Sequence, residues 1–262
     1  MRRLFPTPEG DETFATPAAP PDTLDALADA YAYPAPLPEG TAWVRANMVS
    51  SLDGAARHDG RSQPLSSDAD MRIFGVLRAL ADAVVVGAET VRQEGYRPAK
   101  AREAFAERRA ALGQTPAPVI AVVSAGLDLD FSTPLFTSPV VPTVVLTGAE
   151  ADPGRMRAAE AAGARVVIAG AGERVDPAAA VRALAGMGLR RLLTEGGPRL
   201  LGQFAAAGVV DEMCLTIAPL ITSGLAPRIM NGPVVEVPER FTPASVLEED
   251  GFLFTRYVRE RR

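Results

Sequence analysis

The sequence predicts an α/β protein: a mostly parallel central sheet flanked by helices and finished by antiparallel strands. Three observations predict it. Short β-branched or leucine-rich runs, "AVVVG", "APVIAVVS", "PTVVLTG", "ARVVIAG" and "LRRLLTE", read as buried strands. Helical segments alternate with them, the pattern of a parallel sheet with covered faces. The tail then changes character: "VDEMCLTIAPLI", "SVLEED" and "FLFTRYVRE" read as strands, with Asp250 and Gly251 as a hairpin turn.

The first 40 residues hold eight of the 23 prolines and end in "YAYPAPLPEG". They read as an acidic, proline-rich arm draped over the surface, with one helical turn around "DTLDALADAY". Residues 41–262 read as a single domain. "TAWVRANMV" is its first strand and carries the only tryptophan, Trp43, close to the expected cleft. "SSDADMRIFGVLRALAD" opens with Ser67 and Asp70 at capping-box spacing and puts Ile73, Leu77 and Leu80 on one helix face. "AETVRQEG" is a short helix closed by Gly95, and "AKAREAFAERRAALGQ" a solvated surface helix. "DPGRMRAAEAAG" and "DPAAAVRALAGMG" start at proline and end at glycine.

At 262 residues the chain can bury a large core, and no apolar run approaches the roughly 20 residues that span a bilayer. "MRRLFPTPEGDETF" lacks the long apolar stretch and cleavage site of a secretory signal. A single cysteine, Cys214, excludes an intramolecular disulfide and a cysteine-rich zinc site; it reads as a buried inert thiol in a cytoplasmic protein. The whole net charge of −5 falls in residues 1–40, where Arg2 and Arg3 face seven acids. The rest is neutral, without the basic footprint of a nucleic-acid binder. No GxSxG, P-loop, HExxH or CxxC motif is present, and the lone histidine, His58, reads as a surface-loop residue.

Ligands of open α/β sheets sit at the carboxyl ends of the strands, where helix N-termini offer free N–H groups. Those ends are "SSLDG", "GAET", "VSAG", "LTG", "AGAGER" and "TEGGP". "AGAGER" offers Gly170 and Gly172, but Val175 stands at the third glycine position of a dinucleotide fingerprint, so it reads as a loop. "TEGGPRLLGQF" is the stronger candidate. Its two glycines allow a tight turn, Pro198 opens a helix, and the N–H groups of Gly196, Gly197 and Arg199 would form a pyrophosphate cradle. Glu195 there is either a helix-dipole acid or a ligand group. Thr90 is either a cap or a contact, and Arg78 leaves its helix's buried face sideways, toward solvent or a ligand.

Taken together, "NMVSSLDG", "GRSQPLSSDADMRIFGVLRALADAVVVGAETVRQEG", "VIAVVS" and "TEGGPRLLGQFAAAGVVDEMCLTIAPLI" resemble the reductase domain of riboflavin biosynthesis. That family is the 5-amino-6-(5-phosphoribosylamino)uracil reductases, with a dihydrofolate-reductase-like fold. The similarity runs in matching order from about residue 41 to the C-terminus.

The resemblance implies NADPH-dependent reduction of a ring-opened ribosylamine imine, in a protein that is commonly a homodimer. It assigns Val49 and Ser50 to the nicotinamide end of a cofactor cleft. Gly87, Thr90, Glu94, Ser124, Gly196, Gly197, Pro198, Arg199 and Leu200 become further cofactor contacts. Substrate-side positions fall on Ser62, Arg78 and Glu195, with Arg78 and Ser62 suited to a substrate phosphate. Asp53 and Glu195 are the candidate catalytic carboxylates, although Asp53 could equally be a turn acid, and the general acid stays unassigned.

Departures from the family pattern keep alternatives open. "VRQEGYRPAK" replaces the usual acidic run after the cofactor threonine, Pro64 replaces a tryptophan, and the acidic arm stands where a zinc deaminase domain is often fused. No arginine directly follows Ser124 to clamp a 2′-phosphate, so NADP over NAD comes from the resemblance alone. A related reductase of another pterin- or pyrimidine-like substrate, dihydrofolate included, is one alternative. A non-catalytic NADP-binding protein is the other.

Overall fold

The computed structural model describes residues 1–6 and 21–260. The part of the arm at 7–20 lies outside the described residues. Of the remainder, β1 (Arg2–Phe5) and α1 (Leu24–Ala30) precede the alternating elements. These are β2 (Trp43–Ser50), α2 (Asp68–Leu80), β3 (Ala83–Gly87), α3 (Ala88–Gln93), α4 (Ala106–Ala111) and β4 (Val119–Val123). Next come α5 (Pro134–Thr137), β5 (Val144–Thr147), α6 (Pro153–Ala161), β6 (Arg165–Ile168), α7 (Pro177–Gly186) and β7 (Arg191–Thr194). The chain closes with α8 (Pro198–Ala206), β8 (Glu212–Ile217), β9 (Phe241–Glu249) and β10 (Phe252–Arg259).

Among the described residues all ten strands join one sheet in the order β1-β9-β10-β8-β2-β7-β3-β4-β5-β6. From β8 to β6 every neighbour is parallel, and from β1 to β8 every neighbour is antiparallel. The mixed architecture expected from the sequence is therefore the observed one. β7 returns to lie between β2 and β3, so the strand order reverses there, and a crevice opens at the carboxyl ends of these three strands.

Local chemistry explains the boundaries. Ser67, Asp152 and Asp176 each accept a backbone N–H from the first turn of the helix they cap. Ile73, Leu77 and Leu80 are buried as one face of α2. Asp250 and Gly251 both have positive φ, 53° and 82°, the geometry of a tight two-residue hairpin turn. Cys214 is buried, and burial pushes its thiol well up.

Two expectations change. Residues 21–33 do more than drape: Leu27, Ala28 and Tyr31 are fully buried against α2 and the sheet, because this amphipathic helix covers an apolar face. The segment read as a solvated helix is helical from 103 to 111, a short 3₁₀ turn running into α4, and its Arg109 turns inward. Its guanidinium donates to the carbonyls of Ala79, Ala81 and Thr115, satisfying a helix end and a loop. Among the described residues no helix is long and apolar enough to cross a membrane.

Candidate active site

Two cavities open side by side along the crevice. One, of about 370 Å³, is lined by Asn47, Met48, Val49, Ser62, Asp70, Arg78, Tyr96 and Glu195. The other, of about 650 Å³, is lined by Gly87, Ser124, Arg174, Arg199, Leu200 and Gln203. Thr90, Gly197 and Pro198 border both.

The partition between them is built from backbone. Gly87 donates its N–H to the Gly196 carbonyl at 2.9 Å, and Gly197 donates to Thr90 Oγ1 at 2.8 Å. A Cβ on Gly197 would sit 2.7 Å from that same oxygen, so a larger residue there would displace the Thr90 hydroxyl. Thr90 is thus no side-chain cap; its hydroxyl stitches α3 to the turn before α8. This also revises the expected cradle. The N–H groups of Gly196 and Gly197 are held inside the protein, by Thr194 and Thr90, leaving Arg199 and Leu200 in the first turn of α8. The first i−4 bond of that helix is from Leu201 to Gly197, so those two N–H groups head it.

Glu195, at the end of β7, does not wait for a ligand alone. Arg78 donates to both of its oxygens at 2.6 Å, and the Tyr96 hydroxyl donates to one of them. Burial opposes the Arg78 charge, yet the Glu195 carboxylate holds its pKa above the ordinary value. Burial, then the Glu195 charge, push the Tyr96 hydroxyl up as well. The guanidinium also rests over the Phe74 ring at 4.4 Å. Arg78 thus commits Nε and Nη2 to Glu195 while lining the smaller cavity, so the substrate position that the resemblance gave it comes as one half of an ion pair.

Asp53 departs further. It lines neither cavity, and the turn after β2 folds away toward the loop after β8. Its carboxylate accepts from the Ser51 hydroxyl at 2.5 Å and from the backbone N–H groups of Thr222 and Ser223. Those donors, Ser51 first, pull its pKa down to about 2. It is a turn acid, not a candidate catalyst. Ser50 is buried and lines neither cavity, whereas Val49 does line the smaller one. Glu94 stands at its rim with Ser62. Trp43 is at the far end of β2, bonded to Glu212, so it is no reporter of the crevice. His58 stands half-exposed beside Asp59.

Asp70 is the group that sequence reasoning passed over, having read it only as a capping residue. Its backbone does serve the cap, but its carboxyl lies in the smaller cavity and takes hydroxyl donors from Ser66 at 2.5 Å and Thr216 at 2.6 Å. Burial raises its pKa against the pull of those two hydroxyls. The signal was available only as an acid at the start of an amphipathic helix; its partner Thr216 comes from β8.

A parallel sheet with a reversal of strand order, a small-residue turn at a helix start and flanking cavities at the carboxyl ends of the strands define an α/β protein of the kind that binds small ligands in such a crevice. The RibD C-terminal domain model matches residues 42–249, and the chain belongs to that family of riboflavin-biosynthesis reductases. A relative from Methanothermobacter thermautotrophicus, a 2,5-diamino-6-ribosylamino-4(3H)-pyrimidinone 5′-phosphate reductase, is 32% identical over 72% of this chain and 82% of its own. The protein of the same description from Archaeoglobus fulgidus is 29% identical over 72% of this chain and 86% of its own. Among solved structures, a pyrimidine reductase-like protein from Corynebacterium diphtheriae superposes with a TM-score of 0.76 at 29% identity, covering 84% of this chain and 93% of that one.

Proposed function

We propose that the protein reduces a ribosylaminopyrimidine 5′-phosphate of riboflavin biosynthesis with NADPH, in the crevice at the ends of β2, β7 and β3. The pair of cavities meeting at Thr90, Gly197 and Pro198 carries this reading: one suits a dinucleotide, the other a small polar ring. The fit to a nicotinamide dinucleotide rests on the first turn of α8, whose Pro198, Arg199 and Leu200 line the larger cavity. Gly87, Ser124, Pro198, Arg199 and Leu200 would hold the cofactor there, and Val49 would wall its nicotinamide end.

When bound, NADPH would supply the hydride for the imine carbon. The chain's own work is to orient the substrate, exclude water and deliver a proton to the imine nitrogen, giving the secondary amine. Asp70 is the proton carrier in this reading, since it is a buried carboxyl in the cavity with a raised pKa. The Arg78–Glu195 ion pair and Tyr96 would read the polar edge of the ring, with Ser62 and Glu94 at the mouth.

The commitment of Arg78 to Glu195 favours a second reading, an unphosphorylated pterin-like substrate such as dihydrofolate. Turnover assays following NADPH oxidation with the diaminopyrimidinone phosphate, its deaminated uracil counterpart and dihydrofolate separate the two. Oxidation with a ribosylamino substrate is expected, and Asp70→Asn should lower kcat by about a hundredfold or more with KM little moved. Turnover of dihydrofolate alone would replace the first reading by the second.

A homodimer in the cytoplasm completes the proposal. Ile221, Leu225, Val234 and Val237 are exposed between β8 and β9, which supports a second copy as their cover. Sedimentation at monomer mass would remove it.

A further inference from the structure

The loop at 169–174 failed as a dinucleotide fingerprint, yet the fold gives it a place. A Cβ on Gly148 would lie 2.1 Å from the Gly172 carbonyl oxygen, and one on Gly170 would lie 2.0 Å from that of Arg174. Without those atoms the loop lies flat across the end of β5, fixed by the N–H of Ala149 to Gly170 and of Glu150 to Gly172. Arg174 is thereby carried to the rim of the larger cavity, on the same lining as Ser124.

Two of the other cations there are paired. Arg92 pairs with Asp128 at 3.3 Å, Arg199 with Glu89 at 3.4 Å, and Arg57 stands where the two cavities meet. Among the described residues Arg174 makes no ion pair, and it is exposed. Its position along the sheet fixes what it would meet. The proposed nicotinamide end is at β2 and the pyrophosphate end at the turn beside β3. The remaining length of a dinucleotide must then run toward β4 and β5, four strand spacings or about 19 Å from β2.

We infer that Arg174 selects NADPH over NADH by holding the adenosine 2′-phosphate at the Ser124 end of the larger cavity. It supplies the cation that the sequence lacks directly after Ser124, where Ala125 stands. A guanidinium can take a phosphate with two parallel N–H donors, which a lysine cannot do. The inference rests on the proposed placement of the cofactor.

Titration of the unaltered protein, Arg174→Ala and Arg174→Lys with NADPH and with NADH, read by nicotinamide fluorescence at one fixed salt concentration, tests it. Arg174→Ala is expected to weaken NADPH about tenfold or more and NADH less than about twofold, with Arg174→Lys between. An equal change for both dinucleotides, or no change for either, overturns the selecting role while leaving the cofactor placement standing. Failure of the unaltered protein to bind either dinucleotide overturns both.

Discussion

Arg78 and Glu195 are 117 residues apart, yet each decides what the other can do. Glu195 is almost fully buried while Arg78 keeps a quarter of its side chain in water. A bidentate guanidinium–carboxylate pair in that setting is a charge-assisted bond, with coupling of about 1.5–3 kcal/mol. Removing either partner alone leaves a charge without its counterpart, so the single losses should not add. Arg78→Ala, Glu195→Gln and the double variant, compared by urea unfolding, are expected to give a coupling energy in that range. Additive losses would return Arg78 to the solvated helix face that its sequence position equally allowed.

At the scale of elements, the turn after β2 is tied to the loop after β8 by Asp53. Its folded-state pKa, about 2, lies below the ordinary carboxylate value because the Ser51 hydroxyl, then the N–H groups of Ser223 and Thr222, bind the charged form. A depressed pKa gives stability that is present above about pH 4 and lost as pH falls toward 2. Asp53→Asn should therefore lower the unfolding midpoint near neutral pH, and the deficit should shrink near pH 2. A deficit of equal size at both would exclude the carboxylate as its source. The elements themselves were legible because their signals are local. The caps at Ser67, Asp152 and Asp176, the prolines opening α6 and α7, and the turn at 250–251 each act within a few residues. Site partners were not legible. Asp53 meets residues 169 and 170 positions away, and Asp70 meets Thr216, through a strand order that alternation alone does not specify. Arg109 misled for a related reason: the carbonyls it satisfies lie outside its own helix.

The whole molecule is one sheet with two halves, and the seam is β2 against β8. Glu212 on β8 is fully buried there and accepts from Arg45 Nε at 2.8 Å, Arg256 Nε at 2.6 Å and Trp43 Nε1 at 2.8 Å. Burial opposes its charge, but Arg45 and Arg256 hold its pKa below the ordinary value. The same two arginines donate onward to the carbonyls of Tyr31 and Ala30, and Arg45 lies 4.0 Å over the Tyr33 ring. One carboxylate thus joins the parallel half, the antiparallel half and the segment before β2. Glu212→Gln would leave two guanidinium charges around a neutral amide in a dry interior, a loss of about 3–5 kcal/mol. Because the sheet is continuous across the seam, the loss should fall on a single cooperative transition. Urea unfolding followed by Trp43 fluorescence at the seam and by far-UV circular dichroism across all strands should give coincident curves, both shifted to lower urea. A shift worth less than about 1 kcal/mol would mean that water or repacking replaces the carboxylate. Separated curves would mean that the halves fold apart, and the crevice would then belong to the parallel half alone.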